Sequence, residues 1–110
     1  MIPTTSQPWF SAAKRANLLD PELRIRRFTP SAAKLTGIMS HDQGRLITDF
    51  SHFLLAEAHI AAKSIINGES LFVKSITNDQ LGTIILRSSP YIRKNGAHAG
   101  ATISFIPVTL

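Results

Sequence analysis

Three arginines fall within four positions, at Arg24, Arg26 and Arg27, in the run "RIRRF" that also holds Ile25 and Phe28. In an extended segment Arg24, Arg26 and Phe28 share one side, and Ile25 and Arg27 the other. Guanidinium forks arrayed in this way suit phosphates, which they meet through paired hydrogen bonds. A second set of cations, Arg87, Arg93 and Lys94, lies in the C-terminal third. These six residues form the candidate nucleic-acid-binding set. Phe28 is readable as a stacking platform for a base, although an aromatic beside Ile25 is more often a core residue. The arginines also have anionic neighbours: Asp20 and Glu22 nearby, Asp49 and Glu57 further along.

Other chemistry is thin. His52 and His59 are seven apart, on one face if helical, but about 10 Å apart and so too far to share an ion. Asp49 with His52 lacks a third and fourth ligand. His41 and His98 stand alone. No cysteine is present, which removes disulfides and thiolate metal sites. No serine sits in a Gly-x-Ser-x-Gly elbow, and no phosphate-binding glycine motif appears. "GAHAG" (96–100) reads as a turn rather than a phosphate cradle. The expectation is no enzyme, no cofactor and no metal.

The chain has 110 residues, 44% apolar and 17% charged, with a net charge of +5. This suits one globular domain. Residues 1–45 carry seven Lys/Arg against three Asp/Glu, residues 46–79 two against four, and residues 80–110 three against none. Basic ends around an acidic middle suggest a polyanionic partner; ordinary solubilising charge is the plain alternative. A small domain without cysteine fits a reducing cytoplasm. "MIPTTSQPWF" has no signal-peptide pattern, and no window is apolar enough to span a membrane.

Residues 1–10 read as an arm whose Trp9 and Phe10 dock elsewhere, and 11–110 as the domain. "SAAKRANLL" (11–19) favours helix by composition, and "DPE" (20–22) a stop or a fresh helix start. "TPSAAKLTG" (29–37) predicts a short helix capped by Thr29, with Pro30 in its first position and Gly37 after its end. The period of Leu46, Phe50, Phe53, Leu54, Ala58, Ala61 and Ile65 predicts a long helix over 41–66, opened by Ser40 and Gln43 as a capping box and closed by Asn67-Gly68. At 1.5 Å per residue it spans about 35–40 Å. Ile47, Leu55 and Ile60 lie off its main apolar face, so a homodimer is expected to cover them. Beyond Gly68, residues 70–76, 81–89 and 101–110 are rich in β-branched residues and separated by turn formers. Pro107 marks an edge strand or a strand end.

Residues 78–94 admit two readings. Leu81, Ile85, Ser88, Ile92, Arg93 and Lys94 fall at spacings that resemble helix-turn-helix motifs, which would imply a DNA-binding regulator with Ser89, Arg93 and Lys94 near bases and backbone. Against that, Gly82 stands where alanine packs the two helices, Leu86 where glycine permits the turn, and Pro90 within the second helix. Thr83, Ile84 and Ile85 favour strand, and Asn95-Gly96 is a hairpin turn. The hairpin is preferred because it accounts for the whole chain after residue 68.

The expected fold is α+β: N-terminal helices and one long central helix packed on a small C-terminal antiparallel sheet. The expected function is a small, basic, non-enzymatic nucleic-acid-binding protein. The alternative is a protein-interaction module, an inhibitor, adaptor or assembly subunit, acting through the long helix and the N-terminal aromatics.

Overall fold

The β-branched runs after Gly68 become three antiparallel strands: β3 (Phe72–Asn78), β4 (Gly82–Ile92) and β5 (His98–Val108). This computed structural model describes residues 15–108. The expected arm, with Trp9 and Phe10, lies outside the described residues. Between β3 and β4 the Asn78 side-chain oxygen accepts from the Gln80 and Leu81 amides. Between β4 and β5 the Arg93 amide donates to Ala97, and Gly96 donates back to Arg93. Residues 78–94 therefore form a turn and a strand, and no recognition helix exists there. Ile84 pairs with Ile76 on one side and Pro107 on the other, which uses the β-branched side chains as a pleated surface prefers.

The expected fold class is corrected by the first third of the chain. Ala16–Leu19 is a strand, β1, and Ile25–Phe28 a second, β2. Among the described residues the sheet has five strands in the order β2-β1-β5-β4-β3, all pairings antiparallel. Residues 16–19 have helix-forming composition, but all four are buried and β1 is paired on both sides. Ladder hydrogen bonds and burial outweigh propensity differences of a few tenths of a kcal/mol per residue. In the turn after β1 the Asp20 carboxylate accepts from the Glu22 and Arg24 amides. Leu23 there takes φ 67°, a left-handed conformation costly to a branched residue. Its side chain packs on the core, which offsets that cost.

The short helix α1 (Pro30–Thr36) forms as its capping residues dictate. The Thr29 hydroxyl accepts from the Ala32 amide, and Gly37 closes the helix in left-handed geometry. The long central helix does not form. Residues 40–42 and 47–49 are single 3-10 turns, and only Phe53–Ile66 is helical, as α2. Gly44 sits at φ 91° and donates to the Ile25 carbonyl, while the Ile25 amide donates to Arg45. These bonds tie 44–46 to β2 and withhold the backbone from an α-helical ladder. The anticipated Ser40–Gln43 capping box is also replaced: the Asp42 carboxylate accepts from the Met39 amide. His52 caps α2 through Nδ1, which accepts from Leu54. Fourteen residues give about 21 Å of helix.

The core lies between α2 and one face of the sheet. Leu54, Leu55, Ala58, Ala61, Ala62 and Ile65 meet Ile76, Ile84, Leu86, Ile103 and Phe105. Alanine at 58, 61 and 62 lets the helix lie close to the strands. Ile47 and Leu55 are buried within this core and only Ile60 is exposed, so the helix-based reason for a homodimer falls away. Pro107 is accommodated because β1 pairs only with residues 101–104 of β5. No helix among the described residues is long and apolar enough to cross a membrane.

Candidate functional site

One row of side chains crosses all five strands on the core face. Phe28 in β2 stands opposite Asn17 in β1, Asn17 opposite Ile103 in β5, Ile103 opposite Ser88 in β4, and Ser88 opposite Phe72 in β3. Directly opposed residues in an antiparallel pair share a face. Asn17 and Ser88 are 0% exposed. Among the described residues, neither amide atom of Asn17 nor the Ser88 hydroxyl has a hydrogen-bond partner. Each such group costs about 1–3 kcal/mol when left unsatisfied. With strands about 4.8 Å apart, the two side chains stand roughly 10 Å apart with Ile103 between them. Phe28 and Phe72, both partly buried, close the row at its ends. Two donors and two acceptors thus face an otherwise apolar layer, an arrangement able to orient a small uncharged polar molecule. The sequence reading missed both residues. The available signal was polar residues at inward positions of two strands, and it needed the register to be seen.

The other face of the sheet holds a cleft of about 930 Å³ at the end formed by the β1–β2 turn and the β4–β5 hairpin. Its walls include Arg26, Arg27, Arg93 and Lys94, together with Asp20 and Glu22. Two chain-distant basic clusters therefore do meet. Arg24 and Arg87 are not part of the lining. Arg24 donates to the Gly44 carbonyl at 3.0 Å, and Arg87 stands on the open face of β4 between Val73 and Ser104. Arg26 is paired with Asp20 at 2.7 Å. The expected alternation along "RIRRF" fails because a bulge interrupts the β1–β2 register between Leu18 and Leu19. Ile25 and Phe28 both pack on the core as a result, so Phe28 is not a base platform.

Among the described residues, Asp42 is the carboxylate whose pKa is clearly lowered. The Met39 amide stabilises its charge most, followed by Arg45 at 2.9 Å and the nearby His41, against an opposing cost of burial. Arg45 also lies 4.7 Å over the Phe50 ring. This cluster anchors the loop before α2. Among the described residues no three His, Asp or Glu side chains gather as metal ligands would.

A PAS domain profile matches residues 11–109. A 104.1 kDa uncharacterized protein from the hypE 3′ region of Rhodobacter capsulatus is 29% identical over 92 residues, 83% of this chain and 10% of that protein. The chain thus spans about a tenth of that relative's length. Among solved structures, the PAS domain of the histidine kinase ThkA superposes with TM-score 0.72 at 19% identity, over 84% of this chain and 96% of that one. VqmA bound to DPO superposes with TM-score 0.68 at 13% identity, over 89% of this chain and 53% of that one. At these identities the two structures speak for the fold. The expectation of a small nucleic-acid-binding protein, and of a DNA-binding regulator within it, is overturned: the motif that suggested a regulator is the β4 strand, and the matched profile is that of a different module, closer to the alternative of a protein-interaction module. A profile match over nearly the whole chain, with the strand order to go with it, places this chain in the PAS domain family.

Proposed function

We propose that this domain is a sensory and protein-interaction module that takes a small, uncharged polar molecule into the layer between α2 and the sheet. The observation that carries the reading is the buried, unpartnered pair Asn17 and Ser88. A ligand bridging them would remove two desolvation costs at once, so binding would be coupled to sheet and helix stability. The similarity to the PAS domain of the histidine kinase ThkA and to VqmA, described as bound to DPO, supports this class of role. Recognition here is by hydrogen bonding, and the module is read as non-enzymatic. The lack of cysteine supports a cytoplasmic setting.

The test is native mass spectrometry of the freshly purified chain. We expect a small-molecule adduct in the wild type and its loss in Asn17→Leu. A wild type with no adduct, and no thermal shift across a panel of small amides, ketones and hydroxyketones, overturns the reading.

The output surface is the open face of the sheet. Val73, Ile106 and Val108 are exposed there, at 55%, 42% and 41%, and Ile85 stands opposite Ile106. Exposed apolar residues on an open sheet face fit protein contact, and we place the homodimer contact there in place of the long helix. Sedimentation of Ile106→Lys beside the wild type tests it: a dimer in the wild type and a monomer in the variant is expected. A monomeric wild type removes the assignment.

A further inference from the structure

We propose that the cleft between the β1–β2 turn and the β4–β5 hairpin is a second binding site, for a small phosphomonoester carrying an apolar body. The proposal is independent of the interior site. Arg93 and Lys94 line the cleft and are exposed. Among the described residues neither takes part in an ion pair. By contrast Asp20 is already committed, to Arg26 and to two backbone amides of its own turn, so it cannot quench the hairpin cations without breaking the turn. The lining holds four cations, Arg26, Arg27, Arg93 and Lys94, against two carboxylates, Asp20 and Glu22, a surplus of two that matches a phosphomonoester's charge of about −1.5 to −2 at neutral pH. Arg93 supplies a planar fork for two phosphate oxygens and Lys94 a point charge. The floor is apolar: Leu18 and Tyr91 line the cleft and pack together with Ala16 in a cluster of their own. A bare anion leaves that floor unused, whereas a phosphate on an aromatic or aliphatic body covers it. The volume of about 930 Å³ lies within the range of small-molecule sites.

The experiment is titration of the ¹⁵N-labelled chain, at constant ionic strength, with phenyl phosphate, inorganic phosphate, benzoate and phenol. Phenyl phosphate is expected to move the amides of Tyr91, Arg93 and Lys94 and to bind more tightly than the other three. The double variant Arg93→Ala/Lys94→Ala, whose side chains are exposed on the hairpin, is expected to keep the wild-type melting curve and lose at least tenfold in affinity. Equal affinity for inorganic phosphate or benzoate, or unchanged binding in the double variant, overturns the proposal. Asn17→Leu separates the two sites. It is expected to leave phenyl phosphate binding intact, and its loss there would place the anion in the interior and remove this cleft as a site.

Discussion

Gly100 lies so close to the Leu19 carbonyl that a Cβ on it would sit 1.8 Å from that oxygen. It also takes φ +133°. This contact sits where β1 ends beside β5, one residue from the Leu19–Ala101 pair. It ties the turn that carries Asp20 to the strand that carries Ile103. The obstructing atoms are backbone, so no side chain can swing aside to relieve them.

Gly100→Ala is therefore expected to be severe. Overpacking and a disallowed backbone conformation each cost about 1–3 kcal/mol, and here they act together. Gly96→Ala is the control: its φ is also positive, but nothing lies within 4 Å of the added Cβ. Urea denaturation of the two variants should show a loss for Gly100→Ala at least twice that for Gly96→Ala. Equal losses would mean that the contact with Leu19 is unimportant.

Asn17→Leu should stabilise the ligand-free domain. It replaces an amide with two unmet atoms by an apolar group of similar size, next to Ile103. A gain of about 1–3 kcal/mol in chemical denaturation is expected, together with loss of any ligand-induced rise in melting temperature. A destabilised variant would show that the amide is satisfied in solution.

Thr29 joins two elements through one oxygen. Its hydroxyl accepts from the Ala16 amide of β1 at 3.1 Å and from the Ala32 amide of α1 at 3.2 Å. Thr29→Ala leaves both donors short of a partner, and a loss of about 2 kcal/mol is expected. Thr29→Ser should recover most of it. If serine fares no better than alanine, the methyl group rather than the hydroxyl is what matters.

Asp42 supplies a pH dependence. Its folded pKa lies below the ordinary 3.8. Its contribution to stability is thus complete above the unfolded carboxylate pKa and is lost as pH falls through the lowered folded value. The melting-temperature gap between the wild type and Asp42→Asn should be widest at neutral pH and close in strong acid. A gap that stays constant down to strong acid would assign the effect to packing instead of charge.

Local signals read well from the chain. Thr29, Pro30 and Gly37 bound α1 because caps act within a few residues. Asn95-Gly96 and the β-branched runs define the β4–β5 hairpin for the same reason. Asp20 was one of several carboxylates the sequence offered to the arginines, and Arg26 pairs with it. The misread elements were ones set by a distant partner. Ala16–Leu19 became a strand because β2 and β5 flank it, and residues 41–52 left the helix because Gly44 and Arg45 bond to Ile25.

The amino-acid order by itself determined the caps of α1, the Asn95-Gly96 turn, the strand-forming runs after Gly68, the absence of thiol chemistry and the excess of positive charge at both ends. Tertiary structure alone decided which of those charges meet, that Arg93 and Lys94 face Arg26 and Arg27 across a cleft while Arg24 and Arg87 do not, and that Asn17 and Ser88 are sealed in one row with Ile103. The reason is that hydrogen-bond registry between strands far apart in sequence, including a single bulge, sets the face on which each side chain emerges.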